Sequence, residues 1–169
     1  MADRISADRL LPCLLDRLTD ELPESATESA DRRVISLRRY RQGVRRDLEN
    51  LLNSCRHSDD EPLSEFPEVA ASVLNFGIPD LCGQTVSGLN VSEMERKIRE
   101  AILLFEPRIV RETLSVRAAT EAGSSRHHKA LCFEISGDLW ALPAPDPLYY
   151  RTEVDLETGA FQIKDRSHG

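Results

Sequence analysis

The stretch ERKIREAILLFEPRI, from Glu95 to Ile109, decides the fold because it leads the chain out of a helix and into a sheet. Pro107 cannot continue a helix, and it pushes Glu106 toward an extended backbone. The sequence therefore predicts a rigid bend that carries one carboxylate and one guanidinium, that of Arg108. Apolar residues recur before the bend at the spacing of one helix face: Met94, Ile98, Ala101, Ile102 and Phe105.

Both ends of this helix carry recognisable signals. At its start we expect a capping box, in which the Ser92 hydroxyl accepts from the Glu95 N–H and the Glu95 carboxylate reaches back to Ser92. At its end two interpretations stay open from spacing alone. Glu106 and Arg108 either form an exposed ion pair at a helix stop, worth about 0–1 kcal/mol, or belong to a functional junction.

The hydrophobic period changes from 3.6 to 2 after the bend, as is typical of half-buried strands. Residues 143–147 contain three prolines, so we expect a linker or a sheet edge there. The remaining pattern predicts a strand over 110–118, a hairpin over 130–135 and 139–142 turned at 136–138, and a hairpin over 149–156 and 161–164 turned at 157–159.

Helical patterns dominate the chain before the bend. We predict helices over residues 6–22 and 34–55, a polar loop over 56–65, a short helix within 67–74 and a turn at 75–80. Residues 1–169 are therefore expected to form one domain, helical over about 6–106 and sheet over about 107–165. This order predicts an α+β fold, with N-terminal helices packed on one face of a small mixed or antiparallel sheet formed mainly by the C-terminal half.

Composition excludes several classes of protein. The formal net charge of −7 argues against a general nucleic-acid binder, which needs a positive surface. No apolar run reaches the roughly 18 residues that a membrane span requires, and the run at 10–15 lacks the features of a secretory signal. Four scattered cysteines at 13, 55, 82 and 132 predict free thiols in a reducing compartment.

Three further features have alternative interpretations. Seven arginines lie between 32 and 46 on a predicted helix whose Val34, Leu37, Val44, Leu48 and Leu51 face inward, and most of the arginines are expected to face outward. The outward arginines form a solvated face, a docking surface or an RNA site. Trp140 is expected to be a core anchor rather than a partner hot spot. His127 and His128 fit a solvated loop better than a metal site.

Four segments resemble, in order, the baseplate wedge family that type VI secretion systems share with contractile phage tails, and whose members are often labelled lysozyme-like. The resemblance covers about residues 10–163 and is closest to the TssE subunit. Phe76 and Ile78 stand where Tyr and Leu are common in the family. The segments are RDLENLLN at 46–53, SVLNFGIPDL at 72–81, FEPR at 105–108, and residues 143–159 with PLYYR and DLETG.

The resemblance implies an assembly protein without catalytic residues, metal or cofactor. Its implied partners are other baseplate wedge proteins, of the TssF, TssG and TssK types, and sheath subunits of the TssB and TssC types. It implies a cytoplasmic location at baseplates docked to the inner-membrane complex, with no nucleic acid bound and no direct membrane insertion. Wedge partners are expected on the helical half, including residues 10–18 and the arginine-bearing helix.

A physical hypothesis accompanies the resemblance. A sheet with an unpaired outer strand can accept an extended arm from a sheath subunit through main-chain hydrogen bonds. We expect Glu106, Pro107 and Arg108 to form the sheath-initiation site by fixing the following strand and the incoming arm at one geometry.

The lysozyme-like label raises peptidoglycan cleavage as the alternative function. Glycoside hydrolysis needs two carboxylates roughly 5–10 Å apart, one of them with a raised pKa. Glu93 and Glu100 share a helix face with basic residues that hold both ionised. Glu106 is the better candidate, but the neighbouring Arg108 lowers its pKa, which is the wrong direction for a general acid. A structural role is therefore expected.

Overall fold

The computed structural model describes residues 10, 13–19, 36–57, 63–85, 88–119, 130–141 and 144–166. In these residues the helices come first and the strands last, which confirms the predicted α+β class. The helices are α1 (Leu14–Leu18), α2 (Leu37–Leu52), α3 (Pro67–Ala70) and α4 (Val91–Phe105), with 3-10 turns at Leu63–Glu65 and Val73–Asn75. The strands are β1 (Ser115–Ala119), β2 (Ala130–Leu139), β3 (Asp146–Asp155) and β4 (Phe161–Asp165).

The four strands form one antiparallel sheet in chain order, β1-β2-β3-β4. Alternate residues of each strand point to one face, and there they are buried with the apolar faces of α2 and α4. The largest fully buried side chains belong to this layer between helices and sheet: Tyr150, Phe133, Leu48, Leu51, Leu52, Leu81, Ile98, Ile102, Ile135 and Leu139.

Helix α2 confirms most of its predicted inward face. Val44, Leu48 and Leu51 are buried, and the Ser36 hydroxyl caps the helix by accepting from the Arg39 N–H. Leu37 was predicted to face inward, but it lies in the first turn and is 40% exposed. The predicted residues 34 and 35 lie outside the described part of the chain.

Helix α4 buries the predicted face, but the predicted capping box is wrong. Asn90, not Ser92, is the N-cap: its Oδ1 accepts from the Glu93 N–H at 3.1 Å. Asn is as good a cap as Ser, and its position two residues earlier lets the helix gain part of a turn. The Glu95 carboxylate accepts instead from the Ala118 N–H of β1, at 2.6 Å.

The predicted hairpin over residues 130–142 is also wrong, because β2 runs without a turn from Ala130 to Leu139. Gly137 lies inside this strand. A Cβ there would lie 3.4 Å from the Leu114 Cα and 3.4 Å from the Thr113 Oγ1. The glycine therefore permits a close backbone approach, not a turn.

The predicted strand over 110–118 is shorter than expected. Its inward residues Leu114 and Val116 are buried as predicted, but β1 begins only at Ser115, because residues 111–113 form a turn. Thr113 stabilises the turn through two bonds of its Oγ1, which donates to the Val110 carbonyl at 3.0 Å and accepts from the Asp138 N–H at 2.9 Å.

The C-terminal hairpin is confirmed, with β3 and β4 joined across residues 157–159. The prediction of a linker or a sheet edge over 143–147 is confirmed only in part, because Asp146 and Pro147 begin β3 and pair with Leu139 and Asp138 of β2. Residue 143 lies outside the described part of the chain. Pro147 lies near the start of β3. The last backbone hydrogen bond between β4 and β3 runs from the Arg166 N–H to the Tyr149 carbonyl, so β4 does not reach Pro147. The missing N–H of Pro147 therefore leaves no ladder bond unmade on that side.

The turn predicted at residues 75–80 is present and tightly packed. The Ile78 N–H donates to the Ser54 carbonyl at 2.9 Å, and the Arg56 N–H donates to the Ile78 carbonyl at 3.0 Å. Gly77 has a φ of +126°, and a Cβ there would lie 2.2 Å from the Ser54 oxygen. Only glycine fits this position.

Several predictions fall outside the described residues, including most of the helix at 6–22, the loop at 58–62 and His127 and His128. In the part of the chain that is described, no helix combines the length and apolar character needed to cross a membrane.

Candidate functional site

Glu106 and Arg108 form a bidentate pair where α4 ends. The Arg108 Nε donates to the Glu106 Oε1 at 2.6 Å and Nη2 donates to Oε2 at 2.5 Å. Glu106 is the C-cap of α4 and is only 4% exposed, whereas Pro107 is exposed. The interpretation as an exposed ion pair is therefore wrong. A buried bidentate pair is a stronger and more directional contact than a surface pair.

Asp47 of α2 extends this pair into a network. The Arg108 Nη2 donates to the Asp47 Oδ2 at 2.6 Å, and the Asp47 Oδ1 accepts from the Arg46 Nε at 3.0 Å. The Arg46 Nη1 donates to the Asp16 Oδ1 of α1 at 2.6 Å. These five residues, here called the charge network, alternate in sign and join α1, α2 and the end of α4.

The pKa shifts follow the geometry. Burial alone lowers the pKa of Arg108, but the hydrogen bonds and charges of Glu106 and Asp47 outweigh burial and raise it above its ordinary value. The hydrogen bond from Arg46 lowers the pKa of Asp16. Burial raises the pKa of Tyr40, whose ring centroid lies 6.0 Å from the Arg108 guanidinium carbon. The two carboxylates therefore favour the charged form of Arg108.

The backbone of the junction extends the sheet beyond β1. The Trp140 N–H donates to the Arg108 carbonyl at 2.8 Å, and the Val110 N–H donates to the Asp138 carbonyl at 2.8 Å. Ile109 and Leu139 are thereby paired in an antiparallel bridge. The charge network consequently fixes the position of a short strand segment at the end of β2.

Trp140 does not act as the predicted core anchor. It is 57% exposed because Leu139 and Ala141, its neighbours in an extended chain, take the inward positions. The Tyr40 hydroxyl donates to its backbone carbonyl at 3.2 Å. The indole is thus held at the surface beside the junction, where the alternative role as a partner contact remains open.

The two edges of the sheet differ in how far they are closed. At β1, the Glu95 carboxylate accepts from the Ala118 N–H, and the Arg99 Nε donates to the Leu114 carbonyl at 3.2 Å. Side chains of α4 therefore occupy backbone groups along this edge. Such side-chain cover is one way in which proteins block an edge strand from pairing.

At the β4 edge, a side chain of α2 covers the first residue of the strand. The Phe161 N–H donates to the Asn53 Oδ1 at 2.9 Å, and the Asn53 Nδ2 donates to the Phe161 carbonyl at 3.0 Å. The backbone bonds of Ala160 and Arg166 to β3 set the alternation of the ladder, so the N–H and C=O of Ile163 point away from β3. Across the described ranges, no hydrogen-bond partner accounts for these two outward groups of Ile163.

The arginine-rich stretch divides into surface and internal residues. Arg38 and Arg45 are exposed, as predicted for a solvated or docking face. Arg41 is only 9% exposed and is thus an arginine of this stretch that faces inward. Its Nη1 lies 2.8 Å from the Asp146 Oδ2, and its Nη2 donates to the Pro147 carbonyl at 2.7 Å, so it ties α2 to the start of β3.

The structure brings together the three residues of the predicted junction and adds four that sequence reasoning missed as site residues: Asp16, Arg46, Asp47 and Asn53. Three of the four lie in the segment RDLENLLN, which carried part of the family resemblance. The resemblance was therefore the available signal. Charge pattern alone could not find them, because acidic residues are abundant in this chain.

This arrangement suits structural work better than acid catalysis. Both Glu106 oxygens accept from Arg108, so neither is available to protonate a leaving group. In the described ranges no group of three or more His, Cys, Asp or Glu side chains is arranged to hold a metal ion.

Comparison with known proteins identifies one family. A family model described as baseplate wedge protein gp25 matches residues 38–144, which is more than half of the chain and includes the junction, Asp47 and Asn53. No curated protein and no solved structure matches the chain. The match covers nearly all of α2 and all of α4, β1 and β2. It also contains four of the five residues of the charge network, whereas Asp16, β3 and β4 lie outside it. The chain belongs to the family of the baseplate wedge protein gp25, a structural component of baseplates.

Proposed function

We propose that this protein is the TssE-type wedge subunit of a type VI secretion system, which joins the wedge and starts polymerisation of the contractile sheath. The observation that carries the proposal is the buried Glu106–Arg108–Asp47 contact, inside the segment that matches the wedge family. A starting template must hold one geometry while subunits add to it. A charge-assisted network that joins three helices provides such rigidity.

The sheath-facing element in this proposal is β4 at Ile163. The Ile163 N–H and C=O point away from β3 and offer a donor and an acceptor to an extended arm of a TssB- or TssC-type subunit. Ile163 as a whole is only 5% exposed, so the arm has to approach the edge closely. Asn53 occupies the equivalent groups of Phe161, so it sets the point at which the arm stops and thereby fixes its register.

Glu106, Pro107 and Arg108 act in this proposal through α2. Arg108 holds Asp47 in the middle of α2, and the same helix carries Asn53 as its C-cap beside β4. The three residues thus position the sheath-binding edge instead of touching the arm. Pro107 stiffens the junction because its ring fixes one backbone angle.

The remaining partners and the location follow from the same proposal. The protein binds wedge proteins of the TssF, TssG and TssK types and works in the cytoplasm, at baseplates docked to the inner-membrane complex. It carries out no hydrolysis, because the best candidate acid is held by Arg108. Purified protein is accordingly expected to leave cell-wall suspensions turbid.

The first test is imaging of fluorescent sheath in cells that lack the protein. Complementation with wild type is expected to restore sheaths, and the Glu106→Ala, Arg108→Ala double variant is expected not to. The matched control is the Arg96→Ala, Glu100→Ala double variant, which removes an exposed pair on the same helix. Equal expression of all variants must be verified by immunoblot. Sheaths that form without the protein would sink the proposal.

The edge assignment has its own test. Amide hydrogen exchange of the purified protein is measured with and without purified sheath subunits of the TssB and TssC types. The Ile163 amide is expected to gain protection, whereas the Ala118 amide, which already donates to Glu95, is the internal control and should change little. Protection at β1 with none at β4 would contradict the assignment.

A further inference from the structure

A group of large apolar side chains lies exposed in a segment to which no role has been assigned above. Phe66, Val69, Val73 and Leu74 are 58%, 36%, 79% and 81% exposed. We call these four residues the 66–74 patch. They belong to α3 and the 3-10 turn that follows it, and they lie within nine residues of one another. Isolated exposed apolar residues are normal on proteins, but a cluster of this kind marks an interaction site.

Hydrogen bonds hold this segment in place. The Asn75 Nδ2 donates to the Ala70 carbonyl at 2.9 Å, and the Asn75 Oδ1 accepts from the His57 N–H at 3.1 Å. The Ser72 hydroxyl accepts from the Leu74 N–H at 3.2 Å. The outward direction of the patch is therefore fixed by its own backbone, and little order remains to be gained on binding.

Aromatic packing also anchors the segment that carries the 66–74 patch to the core. The ring of Phe76 packs edge to face against Phe105, with centroids 5.1 Å apart. Ile78 is buried and paired with Cys55. Phe76 and Ile78 thus take the inward positions of this segment, while Val73 and Leu74 are exposed.

The charge around the patch specifies its partner. Glu65 and Glu68, which flank Phe66 and Val69, are exposed. The sequence between Arg56 and Arg96 contains no lysine or arginine. An acidic rim repels nucleic acid, anionic lipid and a second identical patch, and it attracts a surface that carries lysine or arginine around apolar side chains.

We propose that the 66–74 patch is the wedge-facing docking surface, and that its occupant is an amphipathic helix of another wedge protein with basic residues flanking its apolar face. An amphipathic helix offers apolar anchors at the spacing of i, i+3 and i+4 that such a patch can accept. This inference rests on the proposed function, since it names the surface by which the subunit joins the wedge. It differs from the sheath-binding edge of β4 and depends on different residues.

The test measures binding of the purified full-length protein to the purified wedge proteins of the same baseplate by calorimetry. The Val73→Asp, Leu74→Asp double variant is expected to bind at least about 10-fold more weakly, because burial of the apolar anchors is replaced by burial of charge. The control is Leu104→Asp on α4, where the side chain is 45% exposed, and it is expected to bind within about 2-fold of wild type.

A second variant tests the charge of the rim. Glu65→Lys combined with Glu68→Lys is expected to weaken binding and to reduce its dependence on salt, because the attraction is lost. The midpoint temperature of thermal unfolding is measured for every variant, and a midpoint equal to that of wild type establishes that folding is intact. If the rim variant instead binds more tightly, the partner surface is acidic and the proposal is overturned.

Two other outcomes separate this inference from the proposed function. Wild-type protein that binds no wedge protein contradicts both. If the wild-type protein binds a wedge protein and the Val73→Asp, Leu74→Asp variant binds it equally well, the inference is overturned but the proposed function is not. Light scattering on the free protein tests the remaining alternative, in which the patch binds a second copy of the chain. A concentration-dependent dimer that the Val73→Asp, Leu74→Asp variant abolishes, while binding to wedge proteins is unchanged, would support this alternative. That result would also overturn the inference.

Discussion

Arg108 and Asp47 lie 61 positions apart in the sequence and are joined by a 2.6 Å hydrogen bond between Nη2 and Oδ2. This contact fastens the end of α4 to the middle of α2. Because Arg108 also holds Glu106, one guanidinium fixes the backbone that leads into the sheet and the helix that packs beneath it. The charge network is therefore first a folding device, and its proposed role in assembly depends on that rigidity.

Removal of Arg108 is expected to destabilise the fold strongly. Arg108→Ala leaves the Glu106 carboxylate buried and without its cation, which lowers the free energy of unfolding by about 3–5 kcal/mol. Urea denaturation of the purified protein measures this loss. Arg96→Ala, which breaks an exposed pair on α4, is the control and should change stability by less than about 1 kcal/mol. Equal losses for the two variants would contradict the internal role of Arg108.

Removal of both charges is expected to be milder than removal of one. In Glu106→Gln, Arg108→Met no uncompensated ion remains, so unfolding should require about 1–3 kcal/mol more than for Arg108→Ala. The double-mutant cycle, completed with both single variants, gives the coupling energy between the two residues. Additive effects in this cycle would show that the two side chains do not act as a pair.

Gly77 and Gly83 provide a matched pair of glycines with positive φ. Gly77→Ala is expected to lower the free energy of unfolding by more than about 3 kcal/mol, since it adds backbone strain to a collision with Ser54. Gly83 has a φ of +75°, but no atom lies within 4 Å of the Cβ that an alanine would add. In Gly83→Ala, backbone strain alone should therefore lower the free energy of unfolding by about 1–2 kcal/mol. Thermal unfolding of both variants distinguishes collision from strain.

Asp16 gives the fold a modest dependence on acidic pH. The Arg46 hydrogen bond lowers the pKa of Asp16 in the folded state below its ordinary value of 3.8. The stabilisation is therefore present above that ordinary value and is lost as pH falls through the lower folded value. Asp16→Asn should unfold at a slightly lower temperature than wild type at pH 7, and the difference should shrink below about pH 4. A difference that grows in acid would contradict the pairing.

Asn53 is expected to stabilise the start of β4. Asn53→Ala removes two hydrogen bonds to Phe161 and should lower the free energy of unfolding by about 1–2 kcal/mol. Hydrogen exchange of the Phe161 amide should also be faster in Asn53→Ala than in wild type, because this amide donates to the Asn53 side chain. Asn50→Ala, at an exposed position on the same helix, is the control and should change neither quantity. Unchanged amide exchange at Phe161 in Asn53→Ala would contradict a stabilising role for the two hydrogen bonds between Asn53 and Phe161.

Hydrophobic periodicity predicted the helix and strand content well. The buried face of α4, three of the predicted inward residues of α2 (Val44, Leu48 and Leu51) and the β3–β4 hairpin are confirmed, because each depends on local hydrophobic spacing. Pro107 also ends α4 as predicted. These features require no knowledge of which elements meet in space.

Two of the errors, at Gly137 and Glu95, have the same cause, which is competition from distant parts of the chain. Gly137 looked like a hairpin turn, yet it lies in a straight strand because the segment around Leu114 approaches it closely. Glu95 looked like a capping residue, but its carboxylate found the Ala118 N–H across the fold. Trp140 looked like a core anchor until the strand alternation placed it outside.

The sequence by itself determined the class of fold, the bend at Pro107 and the family to which the chain belongs, since local periodicity and ordered motifs encode all three. Only the tertiary structure decided the surroundings of Glu106 and Arg108. Spacing places a carboxylate and a guanidinium on one bend, but it cannot specify whether water or Asp47 faces them. That depends on how α2 packs against the end of α4, and burial by this packing turns an ordinary surface pair into a rigid internal contact.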